Sequence, residues 1–300
     1  SSPYLSASWD MNHPHLLRIL SWSLEPGKWV CCELFDANLF KYIHRPGPWF
    51  AEACLFTKIL SPIASAVAFL HGKNFVHKDI NSHHVLFLQD FSRVVLSGHN
   101  LTKSLSDAGY HTSSAKRGEC HWMDPECYKR KYCMESDVYS LGVIMGEVLT
   151  GEQPYNGEMH GRVIKKQKDG VPPFQLSHDV RRRWPRLCQL YSQCTATSGG
   201  LNNWSDGKDD ETMTDAVDEE DIGRVRPKAH ELVDALIVAA QADEAGAAAA
   251  AWNHNHQEPN NNVVVASGMM MNTTTTTMMH AAGSINNTQS HNPFEGSNNN

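Results

Sequence analysis

The sequence predicts a mainly helical α+β chain followed by a disordered tail, and three observations carry that prediction. Short apolar segments bounded by turn residues come first, at 13–20 and 29–35, and two more lie at 85–88 and 94–96. Longer segments with apolar residues three or four apart fill most of the stretch from 56 to 240. From 243 to 300 there is neither Lys nor Arg, and the chain runs through repeated Ala, Asn, Met and Thr at 247–251, 260–262, 269–271 and 273–277. Such a segment cannot bury enough apolar surface to offset its chain entropy, so one ordered domain ending near residue 242 is expected.

The elements follow in order. Segments 13–20 and 29–35 read as strands around a turn at 25–28, Glu-Pro-Gly-Lys. Leu39 to Ile43 suits a short helix. Phe56, Ile59, Ile63, Val67 and Leu70 fall on one face of a long helix that ends near Gly72. Segments 85–88 and 94–96 are short apolar strands around a polar turn, whereas 98–121 loses all periodicity. From 137 to 149 the chain is apolar nearly all round, which predicts a buried central helix stopped by Gly151 and Pro154. Later helices are expected at 161–168, 179–194 and 228–240.

Charge is segregated. Residues 203–222 hold nine acids against Lys208, and the tail holds four acids and no base, so a chain of net charge −7 leaves +5 on the remainder. That mild balance gives no case for nucleic-acid binding. The eight cysteines form no C-x-x-C pair. A zinc site from Cys120, His121, Cys127 and Cys133 is the minority reading, and reduced thiols in a cytoplasmic protein the expected one. No apolar run is expected to reach the roughly 18–20 residues of a membrane span.

The stretch that carries chemistry is His77-Lys78-Asp79-Ile80-Asn81-Ser82-His83-His84-Val85-Leu86. It resembles the catalytic loop of eukaryotic protein kinases, H-R-D-L-x-x-x-N, in which the Asp takes the substrate proton and the Asn holds magnesium. Trp122-Met123-Asp124-Pro125-Glu126 is similar to the Y/W-M-A-P-E that closes the family's activation segment. Ser136-Asp137-Val138-Tyr139-Ser140-Leu141-Gly142 matches its S-D-V-Y-S-x-G, and Arg226-Pro227 its late R-P. Together these motifs cover about residues 11–240 and look closest to the tyrosine-kinase-like group. The resemblance implies a remnant of the small lobe and hinge over 1–34, a large lobe over 35–242 with the acidic insert 203–222, and the tail over 243–300. It also implies that Glu33, Phe35 and Leu86 border the adenine, that His77 shapes the loop, that Asp137 ties down its backbone, and that Arg226 pairs with Glu126.

Departures from the family pattern decide what the resemblance implies for function. Asp79 stands at the proton-acceptor position, with Asn81 where Lys is usual, but His84 replaces the magnesium-binding Asn. The triplet aligned with the magnesium-binding D-F-G is Gly98-His99-Asn100, so Gly98 replaces its Asp. Magnesium wants hard oxygen ligands, and neither position supplies one. Glu119 adds a second carboxylate near Asp79, which repels phosphate. The glycine-rich loop, strand Lys and helix Glu of the family would precede His13, yet the twelve residues before it hold no Gly or Lys. A pseudokinase that works through protein partners in signalling is therefore expected, with ATP admitted as a ligand and magnesium not. The alternative is a serine/threonine kinase of residual activity whose small lobe is cut short.

Overall fold

The computed structural model describes residues 11–23, 27, 29–98, 102–106, 109–112, 119–129, 131–197 and 226–256, with side chains to 251. The turn at 25–28 (Gly27 apart), His99 and Asn100, the acidic insert 203–222 and tail residues 257–300 lie outside the described residues.

The first two strands are β1 (Ile19–Ser23) and β2 (Trp29–Cys32), an antiparallel pair whose register shifts between Ile19 and Ser21. The strand predicted at 13–20 thus begins late, and Leu16 instead makes an isolated bridge to Leu96. Strand β3 (Ala37–Asn38) leads into α1 (Leu39–Ile43), because Asn38 Oδ1 accepts the Lys41 N–H at 2.8 Å and caps the helix.

Helix α2 spans Ala53–Gly72 and contains a π-helical turn, Phe56–Leu60, that the spacing did not predict. Pro62 accounts for it. Proline lacks the N–H that would meet the Lys58 carbonyl and its ring crowds that oxygen, so the ladder slips, and the Ser61 N–H reaches back to Phe56 O. The expected stripe of Phe56, Ile59, Ile63, Val67 and Leu70 is fully buried, each side chain worth roughly 1.5–3 kcal/mol by transfer from water. Over its 20 residues this helix is long and apolar enough to cross a membrane, which corrects the expectation that no segment is. Its stripe packs inside the protein core, and the Ser61 hydroxyl donates to Val233 O at 3.0 Å, so it is a core helix.

Strand β4 (Phe75–Val76) precedes β5 (Val85–Phe87) and β6 (Val94–Leu96), and β3, β5 and β6 form one antiparallel sheet in that order. In the stretch without periodicity, β7 (Lys103–Ser104) pairs with β4, and β8 (His111–Thr112) pairs with β9 (Lys131–Tyr132). These two-residue strands are set by long-range pairing and carry no pattern of their own.

Helix α3 (Met134–Thr150) is buried along most of its length, as predicted. Gly151 ends it in the left-handed conformation, φ +72, with its N–H on Glu147 O at 2.8 Å. A Cβ there would collide with the Trp49 ring, whose Nε1 donates to Val148 O at 2.9 Å. Helix α4 (His160–Lys168) follows. The single helix expected over 179–194 is two, α5 (His178–Arg183) and α6 (Pro185–Cys194), because Pro185 drives Trp184 out of helical geometry.

The last helix, α7 (Ala229–His256), corrects the domain boundary placed at 242 and the tail placed at 243–300. Asp243 is buried, and its carboxylate accepts the N–H groups of Arg186 (3.1 and 3.2 Å) and Leu187 (3.1 Å). It caps α6, whose own cap residue, Trp184, offers no side-chain acceptor. The composition of the segment concealed one acid at a structural position.

Candidate functional site

The loop between β4 and β5 is held from below by Asp137, in the first turn of α3. Its Oδ2 accepts the His77 N–H at 2.8 Å and its Oδ1 the Lys78 N–H at 3.0 Å, while His71 Nε2 lies 2.9 Å from Oδ2. Burial alone would push this carboxyl up, but His71 and His77 hold it below the usual carboxylate range. Asp137 therefore does what the resemblance implies. His77 is fully buried, its Nε2 giving a hydrogen bond to Ser97 O at 3.1 Å and its Nδ1 accepting the Asp79 N–H at 3.3 Å. Lys78 sits at φ +73, with Nζ 4.3 Å from the centre of the Tyr132 ring.

Asp79, Asn81, His84 and Gly98 come together as one cluster. Asn81 Oδ1 accepts the N–H groups of His83 (3.1 Å) and His84 (3.2 Å), which winds the 3-10 turn Ser82–His84. Its Nδ2 donates to Asp79 Oδ1 at 3.0 Å. His84 Nδ1 gives its proton to Asp79 O at 2.8 Å and stands 3.4 Å from Asp79 Oδ2. Burial pushes the Asp79 carboxyl above its ordinary value, and the Glu119 carboxylate adds to that, whereas His84, the Glu119 N–H and Asn81 pull the other way. Gly98 has φ +84, and a Cβ added to it would lie 2.6 Å from His84 Nδ1 and 2.9 Å from Cε1. The imidazole lies against the Gly98 Cα, where any side chain at residue 98 would have to pass.

This donor set does not fit magnesium. One position offers a nitrogen already committed to a carbonyl, the other no side chain, and the ion demands oxygens in near-octahedral array.

Glu33, Phe35 and Leu86 occupy the strip beside β5. The Glu33 carboxylate pairs with Arg18 (3.3 Å) and Arg93 (3.0 Å). Phe35 is half-buried, next to a fully turned-out Leu34. Asp36 N–H donates to Phe87 O at 3.2 Å, which lays the segment along β5, where Leu86 pairs with Asn38 and Val95.

Arg226 is the main correction. Its partner is Asp124, at 2.6 Å from Nη1 to Oδ2 and 3.3 Å from Nη2 to Oδ1, whereas Glu126 pairs with the exposed Lys129 at 3.2 Å. Asp124 stands where the family motif has Ala, so the acid two residues upstream takes the arginine. The motif itself held that signal, a buried acid in place of a small apolar residue. Glu147 was missed too. Fully buried in α3, it accepts from Ser82 Oγ (2.9 Å) and Trp122 Nε1 (3.0 Å) and meets His44 Nε2 at 2.8 Å. A carboxylate set in the apolar run that follows the first turn of α3 needs such partners, and that was legible.

Glu119, Cys120 and His121 put three metal-type ligand atoms close together. His121 directs Nδ1 at Glu119 Oε1 (3.0 Å) and Nε2 at Glu158 O (2.8 Å), so neither nitrogen turns a lone pair outward. Burial pushes the Cys120 thiol up to about 11, and the eight cysteines are free.

A model of the family "Protein tyrosine and serine/threonine kinase" matches residues 6–198. Calcium-dependent protein kinase 5 of Plasmodium berghei is 29% identical over 174 residues, 56% of this chain and 30% of that protein. Wall-associated receptor kinase-like 17 of Arabidopsis thaliana is 31% identical over 158 residues, covering 48% and 19%. A probable serine/threonine-protein kinase of Dictyostelium discoideum is 28% identical over 186 residues, covering 59% and 14%. The chain spans less than a third of the length of each of these relatives.

Proposed function

Since this chain belongs to the protein tyrosine and serine/threonine kinase family, we propose that it is a pseudokinase of tyrosine-kinase-like type, a cytoplasmic signalling scaffold or regulator that works by contact with other proteins. The observation that carries this reading is the His84–Gly98 contact, in which an imidazole occupies the space a metal-binding side chain at 98 would need. Phosphoryl transfer is nearly all positioning and charge neutralisation, so a site with no seat for the divalent ion forfeits most of its rate. The loop survives as architecture: Asp137, His77 and Asn81 hold it through bonds that need no nucleotide.

One observation favours a second reading, a serine/threonine kinase with residual activity. Asp79 keeps its place, oriented by Asn81, and could still receive a hydroxyl proton. A thermal-shift titration with ATP, with and without magnesium, separates the two. The pseudokinase reading expects no metal-dependent stabilisation and no phosphate transfer to a generic protein substrate. Transfer that disappears in Asp79→Asn would overturn it.

A further inference from the structure

At the junction of α5 and α6 the chain gathers Arg181, Arg182, Arg183 and Arg186 against one acid, Asp179, a net of +3 over the two helices. Arg183 is turned inward, with Nη1 on Asp243 O at 3.2 Å and its guanidinium 4.1 Å from the centre of the Trp184 ring. The other three are exposed. Arg181 gives Nε to Leu176 O at 3.1 Å, and Arg182 pairs at the surface with Asp179 at 3.2 Å. A pair so exposed is worth little and yields to a denser acidic partner. The Arg186 guanidinium has no partner among the described residues. Along α6 no acid follows, and its exposed Gln189, Ser192 and Gln193 are neutral.

The far end of α6 is where the chain leaves for the acidic insert and comes back from it. Arg226 gives Nε and Nη2 to Ala196 O at 3.0 and 2.8 Å, so the segment between them starts and finishes at one place. From Arg186 to Cys194 is about 12 Å along the helix axis. Extended chain from Ala196 to Asp206, the first acid, spans up to about 33 Å, and from Asp221, the last, to Arg226 about 17 Å. Both reach the arginines.

We propose that residues 203–222 dock back along α6 onto the exposed guanidinium groups of Arg181, Arg182 and Arg186 of the same chain. Charge complementarity selects this occupant, since a segment of net charge −8 meets a face of +3 on which Asp179 is the one acid. Arginine suits the task, because its planar fork takes a carboxylate through two parallel hydrogen bonds. Tethering supplies the rest. A segment attached at both ends meets the face at millimolar effective concentration, which populates a contact too weak to form between separate molecules. Occupied in this way, the face is withheld from other acidic partners, which must displace the insert to use it. The contact does not depend on whether the chain transfers phosphate.

Footprinting of arginines in the full chain with phenylglyoxal, read peptide by peptide in a mass spectrometer, tests this. At low salt Arg186 should react about fivefold more slowly in wild type than in a chain whose acids at 203–222 are changed to Asn and Gln. Raising NaCl from about 0.1 M to about 1 M shortens the screening length from about 10 Å to about 3 Å, and should erase the protection in wild type with no substitution at all. Arg162, exposed on α4, is the standard and should react alike in both chains. Dilution by about a hundredfold should leave the protection unchanged, as an intramolecular contact requires. Equal rates for Arg186 in the two chains, protection that survives high salt, or equal protection of Arg162 would each overturn the proposal. Protection lost on dilution would overturn it in favour of the insert of a second copy.

Discussion

The Arg226 guanidinium grips Asp124 with two nitrogens, at 2.6 and 3.3 Å, and both side chains are fully buried. Burial opposes the charge on Arg226, and Asp124 more than restores it. Removing one member of such a pair strands the other, so Asp124→Ala is expected to cost about 3–5 kcal/mol in urea unfolding. Glu126→Ala, which removes the ion pair with the exposed Lys129, is expected to cost less than Asp124→Ala. Equal losses would mean that Glu126 shares the load. Replacing both partners, as Asp124→Leu with Arg226→Met, should recover most of the stability.

Gly98 and His84 should behave as a coupled pair. Gly98→Asp alone forces a Cβ to 2.6 Å from His84 Nδ1 and should lower the melting temperature. Combined with His84→Asn the clash goes, leaving the smaller cost of a non-glycine residue at φ +84, which Asp bears better than most. The double variant should also gain magnesium-dependent stabilisation by ATP, which neither single change confers. Additive losses in a double-mutant cycle would contradict the coupling.

Asp79 makes stability depend on pH in a defined sense. Its folded-state pKa is raised, mainly by burial, so the folded chain holds this proton more tightly than the unfolded chain. The group's contribution is full below the ordinary Asp range and is lost as pH rises through the raised value. Asp79→Asn has no such proton to lose. The stability of wild type minus that of the variant should therefore fall as pH rises from the ordinary Asp range, about 4, through the raised value. A difference that grows over that range would reverse the sign of the shift.

Asp243 should matter although it lies in a segment of tail-like composition. Asp243→Ala removes the acceptor for the Arg186 and Leu187 N–H groups and is expected to cost about 1–2 kcal/mol, in the range of a strong helix cap. Truncation after residue 242 should cost at least as much, and urea midpoints of the two variants against full chain would show it.

The large pieces of the fold were legible because periodicity and helix-stop signals report burial directly. The stripe from Phe56 to Leu70 and the all-round apolar run of α3 are where the spacing places them. What the pattern could not show are interruptions made by single residues, the slip at Pro62 and the break at Pro185, and the two-residue strands β7 to β9, whose pairing is entirely long-range. At the site, the residue types at 79, 84 and 98 were readable, but the direct contact of His84 with Gly98 was not, since it depends on ring orientation. Arg226 went to the wrong carboxylate for a similar reason: motif matching fixes which residue is present and leaves open which of two acids two positions apart will reach it.

Arg226 and Asp243 together turn the last helix into a ruler. Arg226, three residues before the helix begins, is pinned by the Asp124 carboxylate, and Asp243, near its middle, by the amides that open α6. A single residue inserted within α7 upstream of Asp243 would swing that carboxylate by about 100° around the axis and slide it by about 1.5 Å. Length between the two pins is thus as strictly specified as identity, and a one-residue frameshift of register would be felt at both pins at once.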